Sequence, residues 1–360
     1  MTPKDIGWRN SLCAMLLAFG WGLSCVAGRA HADDPYQALR RAVDDRLIAA
    51  SPAEPCPSFS PVMYLELSSF YTDARQSVVD PEVEKRNVEL SQGIDKFMRY
   101  VEQALDSRGR QPALATALCA YDQFKRWATA GALTAEPPTY NREGTIKRSQ
   151  YIVGLNVLAL KFKAAGQPID GAILIWLRTL NHKNMDWYQR GANRGNLYVW
   201  SGAAAALFAI LDRDARALGY QDQAWRDAMA AIRDDGTVAG ELARGHRALI
   251  YHMFSLSATL VLRSARKTLG IAESPADNAR VKLLADQIGR ALCDPHLLEV
   301  SAQGTQEIPG DWAYRAPLGF GREILSSDWS RCGKPNANLS DPTIGGDTQV
   351  SAEVLRQLSR

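Results

Sequence analysis

Apolar residues recur at the three-to-four-residue spacing of an α-helix along most of this 360-residue chain, and strand-like alternation is scarce. The helical pattern covers residues 88–105, 113–130, 147–164, 172–188, 198–211, 223–233, 242–263 and 276–292, with Ala, Leu and Arg prominent throughout. A chain patterned in this way is all-α, its helices packed antiparallel on one another's apolar faces. No Ser/Gly-rich linker and no block of like charge divides it, so residues 33–360 read as one domain.

The first 32 residues read differently. Lys4 and Arg9 form a basic start, an apolar run follows over residues 12–26, and Ala30-His31-Ala32 matches a signal-peptidase site. The run is short for a membrane span. A cleaved leader is therefore preferred to an anchor, and the mature protein is expected in the periplasm, with no membrane insertion. The whole chain carries 42 Lys and Arg against 39 Asp and Glu. Loss of the leader brings the two signs almost level, which argues against nucleic acid as a partner. Cys13 and Cys25 leave with the leader. Cys56, Cys119, Cys293 and Cys332 remain, an even number that favours disulfides in an exported chain. Their spacing is not that of a zinc site, and neither metal nor cofactor is implied.

The stretch 234–255 holds the most chemistry. From Glu241 to Phe254 it has no proline and a single glycine, and it reads as one helix. On a helical period Arg244, Arg247 and Tyr251 share a face. Such a face can simply line a polar groove or brace neighbouring helices. It also suits β-elimination from a uronic acid. A guanidinium is a permanent cation for a carboxylate, and it favours the ionised form of a phenol beside it. Removing the proton at C5 builds charge on the adjacent carboxylate, which a fixed cation stabilises. The phenolate takes that proton, and the phenol can return one to the leaving oxygen at C4.

The run ELARGHRALIYHMF resembles the signature helix of the alginate lyases of polysaccharide lyase family 5, approximately E-L-x-R-x-x-R-A-L-x-Y-H. The resemblance implies an incomplete (α/α) toroid with a deep substrate cleft. It makes Arg244 the carboxylate-binding arginine and Tyr251 the catalytic tyrosine. Arg247 and His252 match the pattern as well, and His252 would line the cleft or else be a satisfied, half-buried histidine. The family has cysteines at the places of Cys56 and Cys119, which implies a bridge between them. Cys293 and Cys332 are then either a second bridge or two buried thiols.

Three further stretches carry the resemblance. Residues 53–81 and the run Asp80–Lys85 correspond to a lid, with Tyr71 and Arg75 touching substrate and Phe70 standing where the family has a lysine. Lids exclude water from the reacting atoms. Asn196 and Trp200 match an Asn-Asn-His segment and the helix after it, but Gly195 replaces the first asparagine and Leu197 the histidine. Leucine can neither neutralise a carboxylate nor act as a base. Asn196 is left to donate an amide hydrogen bond, and Tyr251 to act alone as base and acid. That suits mannuronate, whose proton and leaving oxygen lie on one face. It disfavours guluronate and leaves glucuronate open. Residues 308–315 resemble a late segment that supplies a sugar platform, with Tyr314 as the stacking aromatic and Trp312 weighed between platform and packing.

Other residues take a plainer reading. Asn141 and Lys147 either reach a sugar or cap and solvate a helix start, and are not counted among the site residues. The pair Asn181-His182 lies on the surface. The tail from Cys332, rich in Asn, Gly, Asp and Ser, is loosely held. The expected function is a periplasmic lyase acting on an anionic polysaccharide, mannuronan or a glucuronate-containing exopolysaccharide. The alternative is a catalytically impaired polyuronate-binding protein of exopolysaccharide export, with a secretion complex as its partner.

Overall fold

A computed structural model describes residues 56–106, 114–191 and 195–359. The leader, residues 1–32, with Cys13 and Cys25, lies outside the described residues. Eight long helices account for most of what is described: α1 (Pro81–Leu105), α2 (Leu114–Thr129), α3 (Arg142–Ala164), α4 (Gly171–Arg190), α5 (Asn196–Asp212), α6 (Ala215–Ala231), α8 (Ala248–Thr268) and α9 (Pro275–Cys293). Between α6 and α8 lies the short α7 (Ala239–Leu242). After α9 come α10 (His296–Ala302), α11 (Arg315–Phe320), α12 (Ser327–Cys332) and α13 (Thr348–Leu358).

Helix α5 is the hub. It packs against α3, α4, α6 and α8. Its sequence NLYVWSGAAAALFAILD is apolar on every side, and Ala203 through Ala206 are wholly buried. A helix of that kind belongs inside a core. Gly202 lets α6 come close: a Cβ at that position would sit 2.3 Å from the Cβ of Ala224. The polar groups that α5 and its neighbours bury are chained together. Ser149 Oγ donates to Asn184 Oδ1 at 2.6 Å, Asn184 Nδ2 donates to Ser201 Oγ at 3.0 Å, and Ser201 meets Tyr220 OH at 3.0 Å. Four helices, α3 to α6, are thereby held in one register, with each of these polar side chains partnered.

Several boundaries differ from the sequence pattern. The run Asp80–Lys85, expected in the lid, is the capped first turn of α1. The Asp80 carboxylate accepts from the amides of Glu82 and Val83, and Pro81 occupies a position where its missing N–H costs nothing. The unbroken helix expected from Glu241 to Phe254 is interrupted. Gly245 adopts φ 58°, outside right-handed helix geometry, and residues Gly245–Arg247 form a 3-10 turn before α8 begins at Ala248. Gln306 mends the break: its amide donates to Gly245 O at 3.1 Å, and its carbonyl accepts from Leu249 N at 3.0 Å.

Both cysteine pairs are bridged, Cys56–Cys119 and Cys293–Cys332. The tail after Cys332 is not loose. Ser340–Asp341 (β1) pairs antiparallel with Gly346–Asp347 (β2), and the turn between them packs on α3. Lys161, fully buried, donates to Asp106 Oδ1 at 2.5 Å and to Gly345 O at 2.6 Å. Asp106 also accepts from Asp347 N at 2.6 Å, and Glu102 accepts from Ser340 Oγ at 2.8 Å. A buried ammonium and two carboxylates thus clasp the carboxy-terminal segment to α1 and α3. Burial pushes Asp106 upward against the pull of Lys161, and burial brings Glu102 to about 7.

Candidate active site

The first turns of α3, α5 and α8 open on one furrow of about 480 Å³, a volume typical of sites that hold a small organic group. Helix starts are positive dipole ends, so their convergence favours an anion, although Asn141 and Gln306 already take first-turn amides of α3 and α8. The front half of α1 lines the opposite wall, and Tyr71 and Gln76 reach in from the lid. The lid is an arch closed by the bridge Tyr71↔Val79. Asp73 fastens it from within, accepting from Ser77 N and Val78 N at 2.7 Å each and from Ser77 Oγ at 2.8 Å. Those bonds, Val78 foremost, hold its carboxyl at about 2.

The broken helix still brings the expected residues together. The Arg244 guanidinium lies 4.6 Å over the Tyr251 ring, and its Nη1 donates to Gln76 Oε1. Tyr251 OH donates to Tyr71 OH at 2.7 Å. Arg247 Nη1 donates to the same Tyr71 oxygen at 3.3 Å, while its Nε faces Glu307 at 3.3 Å. The phenol is not biased toward its ionised form in the unliganded protein, as the sequence suggested. Burial pushes Tyr251 upward, and the hydrogen bond to Tyr71 adds to it. Arg244 and Arg247 pull the other way but are outweighed.

Asn196 lines the furrow at the start of α5, with Leu197 and Trp200 beside it. Its amide is already committed. Nδ2 donates to both carboxylate oxygens of Glu241 at 3.0 Å, and Ser255 Oγ donates to the same carboxylate at 2.8 Å. Glu241, buried and raised by that burial, thus ties α7 to α5 and α8. Asn196 Oδ1 has no protein partner. In the unliganded protein the Asn196 amide is thus engaged by Glu241, and its Oδ1 is buried. Trp200 Nε1 is likewise buried without a partner and is a free donor in the same wall.

Three expected site residues lie elsewhere. His252 is 1% exposed, accepting from Val238 N at 2.9 Å and donating to Ala248 O at 2.7 Å; burial lowers it to about 4. It braces the turn before α7 and does not line the furrow. Tyr314 is 1% exposed against Trp329, and burial raises it to about 12. The aromatic at the rim is Trp312, 42% exposed and edge-on to Phe254 at 6.5 Å. Arg75 donates to Gln303 Oε1 at 3.1 Å and faces a different hollow. The pair Asn181-His182 is also not a surface pair: Asn181 is buried against Asn156, while His182 contacts Asp214.

Sequence reasoning missed Gln76, Arg142 and Phe254, and left Lys147 between a sugar contact and a helix-start residue; all four line the furrow. Asn141 does cap α3 as expected. Lys147 stands 5.0 Å over the Tyr151 ring. The helical period places it one turn from Glu143, another furrow residue, a signal available beforehand. Gln76 holds φ 55° in an irregular arch, and no periodicity pointed to it.

Comparison with known proteins agrees with this geometry. The alginate lyase family model matches residues 113–296. A polysaccharide lyase of Stenotrophomonas maltophilia is 26% identical over 262 residues, covering 71% of this chain and 79% of that protein. An alginate lyase of Pseudomonas syringae pv. syringae is 24% identical over 218 residues, with 58% of this chain and 55% of that protein covered. Among solved structures, a tetrasaccharide complex of alginate lyase A1-III superimposes with a TM-score of 0.67 at 19% identity, over 90% of this chain and 97% of that one. The structure of alginate lyase A1-III from Sphingomonas species A1 gives 0.62 at 18% identity, over 88% and 94%. The fold is accordingly the incomplete (α/α) toroid. With its family model spanning half the sequence, the chain belongs to the alginate lyase family of polysaccharide lyases.

Proposed function

We propose that this protein cleaves a β-1,4-linked polyuronate by β-elimination, with Tyr251 as base and then acid. The observation that carries the reading is the Arg244–Tyr251 stack at the furrow wall, in which the arginine is steadied by an uncharged amide. The substrate carboxylate pairs with Arg244. The Tyr251 phenolate takes the C5 proton, and the electron pair is delocalised into the carboxylate, where the guanidinium stabilises it. That pair then forms the C4–C5 double bond as the C4–O bond breaks, and Tyr251 gives its proton to the leaving oxygen. Lys147, Arg142 and the three helix starts attract the rest of the polyanion.

A single group serving both steps needs proton and leaving oxygen on one face, so mannuronan or mannuronate-rich alginate is the preferred substrate, with a glucuronate-containing exopolysaccharide next. Leu197 in the furrow wall supplies no second base, which makes guluronate the poorest. The leader sequence supports action in the periplasm.

The raised phenol is suited to the acid half of the cycle. The base half requires its ionised form, so turnover is expected to climb with pH into the alkaline range. The test is ultraviolet absorbance of the unsaturated uronate from a panel of mannuronan, guluronan and polyglucuronate. Tyr251→Phe is expected to lower turnover by about a thousandfold. Retained activity would reject Tyr251 as catalyst. Binding without chain shortening in the unaltered protein would favour the export-binding role.

A further inference from the structure

The lid arch has two sides. Tyr71 and Gln76 look into the furrow, whereas Ala74 and Arg75 look into a second hollow of about 670 Å³. Arg233, Ser301 and Gln303 line that hollow, and Arg244 lines both. The residue assigned to the reacting carboxylate therefore borders both cavities.

Many arginines of the molecule are paired with carboxylates, though Arg226 and Arg290 on helix surfaces donate to the glutamines Gln223 and Gln287. Arg263 is paired with Glu273 at 2.7 Å, Arg266 with Asp222 at 2.5 Å and Arg148 with Glu136 at 3.5 Å. Arg75 and Arg244 instead donate to the amide carbonyls of Gln303 and Gln76. Arg75 also lies alongside Gly245, where a Cβ would meet Nη1 at 3.8 Å, an ordinary contact. Of the acids near Arg233, Asp234 is paired with Arg280 at 2.7 Å, and Asp235 accepts from Thr237. Among the described residues no carboxylate forms an ion pair with Arg75, Arg233 or Arg244. A glutamine orients a guanidinium without cancelling its charge, so the charge remains available to an incoming anion.

We propose that this hollow is a distal saccharide subsite, in which Arg75 and Arg233 take a uronate carboxylate of the same polymer beyond the arch from Tyr251. The assignment rests on the polyuronate reading above. The chain then lies along the furrow, passes beneath the arch at Arg244 and continues into the hollow. Arg75 is thereby a lid residue that binds substrate on the outer side of the arch.

The experiment uses size-defined oligomannuronates, a trisaccharide and a hexasaccharide, binding to Tyr251→Phe protein by titration calorimetry. The hexasaccharide is expected to bind more tightly. Adding Arg75→Gln and Arg233→Gln should remove about tenfold of that advantage, a few-fold for each exposed charge pair. Ser301→Glu, which puts an opposing charge in the hollow without touching either arginine, should do the same, while Arg75→Lys with Arg233→Lys retains most of it. A length advantage that survives both the double glutamine variant and Ser301→Glu overturns the subsite. Wild-type protein that forms no unsaturated product, yet binds the hexasaccharide through these arginines, keeps the subsite and rejects the elimination reading. Absence of binding to either oligosaccharide rejects both.

Discussion

Two charged clusters in this protein are made of similar groups and do opposite work. In the clasp, Lys161, Asp106 and Glu102 sit deep between α1, α3 and the carboxy-terminal hairpin, and their charges are largely spent on one another and on the backbone. At the furrow, Arg244 is steadied by Gln76 and stacked on Tyr251, and among the described residues it forms no ion pair, Glu241 acting on it only from a distance. The first arrangement fixes a chain segment. The second keeps a cation in reserve. The difference lies in the partner: a carboxylate satisfies charge and geometry together, while an amide satisfies geometry alone.

The sharpest way to break the contrast is Arg244→Ala. It should lower kcat/KM on mannuronan by about a thousandfold, as loss of a fixed charge-stabilising donor does, and leave the melting temperature nearly unchanged. Lys161→Met is the converse. Removing the ammonium strands Asp106 in the interior, so stability should fall by about 3–5 kcal/mol in urea titration. Turnover per folded molecule should remain.

A gentler probe separates the clasp's own members. The unfolded chain ionises Glu102 near 4.5 and the folded chain at about 7. Between those values the native state keeps a proton that the unfolded state has lost, so this residue's contribution to stability falls as pH rises. Glu102→Gln should therefore raise the unfolding free energy at pH 8, by an amount on the order of 1–3 kcal/mol in urea titration, and change it little at pH 4.5. His252 runs the other way. It takes up a proton near 6.5 when unfolded and at about 4 when folded, so its contribution is lost as pH falls through that window. The two opposing slopes flatten the wild-type profile, and Glu102→Gln should expose a stability that falls on acidification.

Much of the architecture was legible in advance because helices announce themselves locally. The eight long helices follow the apolar period; the cap at Asn141 was foreseen, while the start of the first helix was misplaced where the Asp80 cap decides it. The Arg244–Tyr251 contact was legible through the motif around Tyr251, although an unbroken helix is not what brings the two together. Gly245 was visible, but whether a glycine takes positive φ depends on what flanks it in space, here Arg75 and Gln306. The lid contacts join residues far apart in sequence, Gln76 with Arg244 and Tyr71 with Tyr251, and no spacing rule links them. His252 and Tyr314 were misjudged for one reason. Family position and residue type suggest a cleft, but burial is settled by neighbours such as Val238 and Trp329. The clasp was illegible as well, because Lys161 looks like an ordinary helix lysine until the hairpin at Gly345 covers it.

The cohesion of the arch has a mechanical corollary. Its Asp73 knot and the Tyr71–Val79 bridge belong to the arch itself, whereas Tyr71, Arg75 and Gln76 reach the bundle through side chains alone. Lifting it would unfasten those side-chain latches and leave the knot tied. Any swing would centre on the root where Ser68 and Asn87 exchange two hydrogen bonds. The piece that roofs the furrow is thus built like a hasp, stiff along its length and detachable at its tip.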